Sequence, residues 1–435
     1  MRNQSFSLTT MFASVQWLFF IFANIVVVPV SIGFAFELSS ADIASLLRTS
    51  LIVTGIACML QGLWGHRFPV MEGPSGVIWG MLLNLSLSAP VLGLSLSEVG
   101  GGIATGMLLA GTVTILLVVF NLIPFIQKVF SPMVLSVYLF LLTFQLVFVF
   151  FKGMLKVDTD GTLNLPITLF SFCVAIFVAL LKIKGNKMIG NFSILIGIIA
   201  GWIIYRFLFP AEQQISTGSA HLFSLFPLGK PNLEFGIIAI TFLGCLINLI
   251  NIITSINAAS KLMNEKAEMG RYRNSYLLSS LYTFAASLFG LVSYAPFTSS
   301  IGFLESTQIF KIRPFIIGGA LISLLGIIPY FSLLLATLPI SVGNAVLFVA
   351  YLQLFGTSLK SLGGYSFNSI TIYRIAAPVL IGVCLMTVGT ELFRDFPAVL
   401  QPLISNGFIM GVLISIFLES VINWDTTVVE KKSVE

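Results

Sequence analysis

Charge is what this chain has least of. Only 9% of its residues are Asp, Glu, Lys or Arg, against 57% hydrophobic ones. A soluble reading would need almost every helix buried on all faces. Histidine is scarcer still: His66 and His221 lie in expected loops and form no ligand cluster. The four cysteines, Cys58, Cys173, Cys245 and Cys384, all sit inside apolar runs with no CxxC spacing, so they are expected to be small core residues and not a disulfide or metal framework. Phosphate-cradling glycine loops, nucleophile triads and metal-ligand spacings are absent, and the tail after Asp425 is short. An enzyme and an ATP-driven pump are therefore not expected on this chain, and neither is a cofactor or a bound metal.

What the chain does have is length without charge. The runs 3–36, 99–127, 129–151, 161–181, 235–260 and 397–418 can each cross the roughly 30 Å of bilayer hydrocarbon. The N-terminus has an Arg and an apolar run but no small-residue cleavage pattern, so it is read as a first span and not a removed signal peptide. Apolar runs, turns and charge together predict an all-α polytopic membrane protein of about fourteen spans. Their centres fall near residues 22, 55, 80, 110, 140, 174, 198, 245, 284, 302, 325, 349, 382 and 409. With both termini in the cytoplasm, the inner segments collect most of the Lys and Arg, including Arg2, Arg67, Lys128, Arg271, Arg273 and Arg374. The outer segments keep only Arg48, Lys152, Lys156, Arg206, Lys230 and Arg394, as the positive-inside rule requires. The net charge of +5 reflects this topology and gives no reason to expect a nucleic-acid partner.

Two stretches break the apolar pattern. Ser293 to Gln308, SYAPFTSSIGFLESTQ, places hydroxyls, a proline and a carboxylate at membrane depth, with room around it for only one short span. Pro296 disfavours a helix at Ala295, and a helix is expected to open at Thr298, Ser299 and Ser300 with a Ser capping its first turn. The first half carries a counterpart, Pro69-Val-Met-Glu-Gly-Pro-Ser-Gly76. Short Pro/Gly-interrupted segments in corresponding positions of two halves point to a midplane site, with half-helix N-termini facing a substrate. Two unrelated Pro-kinked helices are the plain alternative. In the eighth span Thr241, Asn248, Asn251 and Ser255 recur at helical spacing, forming either a cavity stripe or hydrogen bonds to a neighbouring helix. Intramembrane carboxylates are functional by default. Glu72 and Glu305 are accordingly the candidates for ion coupling, unless Glu72 pairs with Arg67 and Glu305 with Lys311 or Arg313.

These residues resemble the nucleobase–ascorbate transporters, a nucleobase:cation symporter family. Gln16-Trp17 through Val28-Pro29 looks like the family's first span, and Gly73-Pro74-Ser75 like the strand of its third. Leu288-Phe289-Gly290 to Ser299-Ser300-Ile301-Gly302 and Thr307 is similar to its Phe-Gly stretch and span-ten motif. The resemblance implies two inverted repeats of seven spans, here 1–230 and 231–425, with 426–435 a cytoplasmic tail. It also implies a core and a gate domain, short antiparallel strands in spans three and ten, and a homodimer. The departures are specific. The family's substrate-binding Glu falls on Asn251, the Asp four residues later on Ser255, and the span-ten Gln or Glu and Asn on Ser299 and Ser300. The span-nine Asp falls on Ser279, the first-span His on Trp17, and an aromatic that stacks on the base in some members falls near Gly76.

The reading is a multi-pass cell-membrane permease for a nucleobase, a purine more than uracil because Gly76 leaves room, driven by proton or sodium symport. Asn251, Ser299, Ser300, Ser75, Gly76, Asn248 and Ser255 are its expected substrate contacts. An uncoupled facilitator of a small polar solute, a uracil permease and a non-transporting sensor are the alternatives.

Overall fold

A computed structural model describes residues 8–210, 223–422 and 424, apart from 159, 336, 363, 364, 398 and 399. Arg2, His221 and the expected tail at 426–435 lie outside the described residues. The chain opens with α1 (Leu8–Ile25) and α2 (Val27–Ala35), one apolar run broken at Val26. Pro29 explains the break, since it has no N–H to give the carbonyl four residues back. Next come α3 (Ser40–Leu63), β1 (Glu72–Pro74) and α4 (Gly76–Leu92), the last stopped by Gly93 at a left-handed φ of 69°. The start of α5 (Leu96–Val119) is fixed by a reciprocal box, with Ser95 and Glu98 each accepting the other's backbone N–H. After α6 (Ile123–Val129) come α7 (Pro132–Met154), α8 (Leu165–Lys184) and α9 (Lys187–Leu208). Ser131, Asn164 and Asn186 cap these last three by accepting N–H groups of the first turn.

The second half also contains one short strand among its helices. It runs α10 (Phe235–Asn248), α11 (Ile250–Met263), α12 (Met269–Phe289), β2 (Tyr294–Pro296) and α13 (Ser299–Thr307). It continues through α14 (Ile312–Ile327), α15 (Pro329–Leu335), α16 (Ile340–Ser361), α17 (Ser369–Thr387), α18 (Gln401–Ile404) and α19 (Gly407–Val421). Every expected span centre falls inside a helix. Among the described residues seven helical stretches are long and apolar enough to cross a membrane, or eight if α14 and α15, bent by 89°, count as one. α4, α13 and α19 are shorter.

Helix packing separates into two bundles. In one, α3 packs on α14 and α12, α1 on α14, and α5 on α10 and α12. In the other, α7 packs on α16, α17 and α19, and α8 on α9 and α16. α4 bridges them by resting on both α10 and α7. In the first bundle α3 and α14 approach through small residues, the usual device between membrane helices. A Cβ at Gly55 would lie 2.3 Å from the Gly319 carbonyl oxygen. Arg48, assigned above to an outer segment, is instead buried inside α3, where it donates to the carbonyls of Gly326 and Ile327 at the C-terminal end of α14. Cys58 and Cys245 are buried as expected, but Cys173 and Cys384 are exposed, so small size does not guarantee a core position in a chain whose outer surface is also apolar.

Candidate functional site

The two interrupted segments meet. β1 and β2 pair antiparallel with Glu72 opposite Pro296, Gly73 opposite Ala295 and Pro74 opposite Tyr294, and all six residues are buried. The prolines are tolerated because a two-stranded pair has only edges. At its ends Ser75 donates its N–H to the Ser293 carbonyl and Phe297 its N–H to Met71, both at 2.8 Å. Backbone polar groups at membrane depth are thus satisfied within the protein, the condition for irregular chain in a bilayer. α4 and α13 leave this pair, and neither has a side-chain cap on its first turn. The expected Ser cap on α13 is therefore corrected. Its N-cap, Thr298, sits at helical dihedrals, which turn the hydroxyl away from the orphan N–H groups.

Asn248 ties the junction together. Its Oδ1 accepts from the Ser75 hydroxyl at 2.5 Å and from Asn251 Nδ2 at 2.8 Å, while its Nδ2 donates to the Tyr294 carbonyl at 3.1 Å. It stands where α10 stops and α11 starts, so the helix break brings the amide against the strands. Ser255 donates to the Pro296 carbonyl at 3.0 Å, and Ser300 accepts the Met71 N–H at 3.0 Å. Ser75, Asn248, Ser255 and Ser300 thus spend hydrogen-bonding capacity on the scaffold. Asn251 is only half-buried and spends one N–H, leaving its carbonyl and a second N–H open. Ser299 is exposed on the first turn of α13. Thr241 is not part of this junction: it packs into the space left by Gly106, and its buried hydroxyl has no partner. The stripe read along the eighth span is cut at Leu249 by the helix break.

Glu72 is fully buried, and its Oε1 accepts from the Ser279 hydroxyl at 2.8 Å. Its other oxygen has no partner, and no Glu72–Arg67 ion pair occurs among the described residues. Arg67 is exposed, beyond the end of α3. Gln61 donates to Ser279 at 3.3 Å, closing a small polar network. Ser279 is the position where an Asp is expected from the resemblance, so β1 delivers a carboxylate to the spot that α12 lacks. A small cavity of about 10 Å³, room for about one water, is lined by Ser279, Asn248, Thr283 and Ser293 among others, and links this network to the Asn248 junction. Glu305 lies elsewhere. It is exposed on α13, and no ion pair to Lys311 or Arg313 occurs among the described residues.

The room expected at Gly76 is filled. A Cβ there would lie 2.9 Å from Leu146 Cδ1 and 3.6 Å from the Tyr351 hydroxyl, so the missing side chain lets α7 and α16 close on the site. The sequence reading missed this second wall. Tyr138, Gln145 and Tyr351 supply polar groups from α7 and α16, and the only signal in the sequence was an isolated Gln and Tyr within otherwise apolar runs. Tyr138 is buried beside Asn251 without a hydrogen bond of good geometry.

The model of a permease family, Xan_ur_permease, matches residues 8–391. The chain is 30% identical over 424 residues to YwdJ of Bacillus subtilis (strain 168), named as a candidate purine permease, over 94% of this chain and 95% of that one. It is 23% identical to the uric acid transporter UacT of Escherichia coli (strain K12), over 94% of this chain and 85% of that one. Identity to the xanthine permease of Bacillus subtilis (strain 168) is 22%, over 95% and 94%. Of solved structures, the transmembrane domain of the cyanobacterial bicarbonate transporter BicA matches with a TM-score of 0.60 at 12% identity, covering 94% of this chain and 97% of that one. Murine Slc26a9, an anion transporter in its inward-facing state, matches at 0.61 and 11%, over 96% and 69%. At such identity these last two speak for the fold alone.

Proposed function

Because this chain belongs to the permease family whose model spans residues 8–391, we propose that it carries an oxopurine across the cell membrane by proton-coupled alternating access. The junction at Asn248 is the observation that carries this reading. Two broken helices and a broken α10/α11 converge on one amide, which leaves Asn251 with a free donor and a free acceptor. An oxopurine edge offers the complement, an N–H beside a C=O. The named substrates of the relatives, uric acid and xanthine, are of that class. Support for a purine now comes from them, since the space beside Gly76 is occupied by Leu146 and Tyr351.

Glu72 is the coupling residue of this reading. A membrane-buried carboxylate with no ion pair among the described residues fits a group that crosses the bilayer by taking up and releasing a proton. Ser279 and the cavity it shares with Asn248 connect it to the substrate junction. We further read residues 1–230 and 231–425 as inverted repeats, the termini as cytoplasmic and the working unit as a homodimer. In proteoliposomes, labelled xanthine, uric acid and hypoxanthine should accumulate when an inward proton gradient is imposed, and uracil should not. Uptake of no base, with correctly folded protein, refutes the assignment; uptake unaffected by the gradient refutes only the coupling.

A further inference from the structure

The most conspicuous unused chemistry in the molecule is one amide on α7. Gln145 is 2% exposed, and neither its Oε1 nor its Nε2 has a hydrogen-bond partner. Its neighbours along the helix are Leu, Phe and Val, apart from Thr143, whose hydroxyl is spent on the Leu139 carbonyl at 2.7 Å. A buried amide left without partners is destabilising, more so at membrane depth. Both of its polar atoms are therefore open to a partner from outside the fold.

Its position says which partner. The Gln145 amide lies against α4 where residue 80 has no side chain: a Cβ on Gly80 would be 3.0 Å from both Cδ and Nε2. Its sequence neighbour Leu146 fills the same role at Gly76, one turn earlier on α4 and directly after Ser75. On α7, Tyr138 stands two turns before Gln145 on the same face, and its hydroxyl is also buried beside Asn251 without a good hydrogen bond. The face of α7 that closes on the Asn248–Asn251 junction thus carries unspent polar atoms, among them both amide atoms of Gln145.

We propose that Gln145 is a substrate-contacting residue, which binds an N–H/C=O edge of the transported base from the α7 side when the two bundles part. In this structure the amide rests against Gly80. Its carbonyl and N–H match such an edge with two hydrogen bonds, so Asn251 and Gln145 read the base from opposite walls. This inference rests on the purine reading above.

Binding of labelled hypoxanthine and xanthine to the purified full-length protein in detergent tests it, with Gln145→Leu and Gln145→Met compared with the parent. Both variants should fold, melt no lower than the parent without substrate, and bind about tenfold more weakly, the loss expected for a pair of neutral hydrogen bonds. Adenine, which lacks an N–H/C=O edge, should discriminate less between parent and variants. Unchanged affinity in folded variants while the parent binds overturns this inference alone. Misfolding of both variants also overturns it, because the amide would then hold a partner in the fold. A parent that binds no base overturns the purine reading and this inference with it.

Discussion

Asn248 and Asn251 lie three residues apart, and their different surroundings predict opposite phenotypes. Replacing Asn248 with Ala removes the partner of the Ser75 hydroxyl, the Tyr294 carbonyl and the Asn251 amide, of which the first two are buried. Each buried group left unpaired costs about 1–3 kcal/mol. Asn251 is half-buried and can turn toward solvent, so the two buried groups dominate, and a loss of about 2–6 kcal/mol is expected. Asn251→Ala breaks one hydrogen bond at a half-buried position and should destabilise by about 0.5–1.5 kcal/mol. Thermal unfolding in detergent, followed by intrinsic fluorescence, reads the first difference, and binding of labelled xanthine reads the second. Asn248→Ala should melt clearly lower and bind weakly because the junction has loosened. Asn251→Ala should melt near the parent yet bind little or nothing. If Asn248→Ala melts with the parent, or Asn251→Ala binds normally, the division into scaffold and substrate contact is wrong.

Glu72→Gln keeps an acceptor for the Ser279 hydroxyl but cannot release a proton, so exchange of base across vesicles should persist while gradient-driven accumulation disappears. Accumulation equal to the parent's would exclude Glu72 as carrier. Adding Ser279→Asp to that variant returns a carboxylate to the other end of the same 2.8 Å contact and should restore part of the accumulation; no recovery would mean that the position of the carboxylate, and not its presence, matters. Gly55→Val forces α3 and α14 apart, because even its Cβ falls 2.3 Å from the Gly319 carbonyl, and should destabilise by about 2–3 kcal/mol. Gly302→Ala, inside α13, meets nothing within 4 Å and should melt no lower than the parent in the same series, since Ala favours a helix over Gly. Arg374 holds Glu419 through two hydrogen bonds, at 2.9 and 2.6 Å, so Arg374→Ala should lower stability by about 2–3 kcal/mol. A further Glu419→Ala should recover most of that, and a purely additive double mutant would contradict the pairing.

The sequence by itself determined the class of the protein and the places where helices must run. Long charge-free runs in water or lipid admit few alternatives, and backbone hydrogen bonding at membrane depth forces them into helices, so each expected span centre falls in one. Pro74 and Pro296 likewise announced local breaks, because a missing N–H acts within a few residues. Partnership was not legible. Nothing local says that Glu72 would meet Ser279 across 207 positions and not Arg67 five residues away, or that Ser300 would hold the Met71 N–H while its neighbour Ser299 stays exposed. Nor could the space beside Gly76 be judged without knowing that α7 and α16 fill it. Gln145 shows the limit most clearly: in the sequence it is one amide in an apolar helix, and only the packing of α7 on α4 leaves it buried and unpaired. Secondary structure follows from forces between near neighbours along the chain, whereas hydrogen-bond partners and cavity walls depend on which distant helices pack together, and that is fixed only when the whole bundle closes.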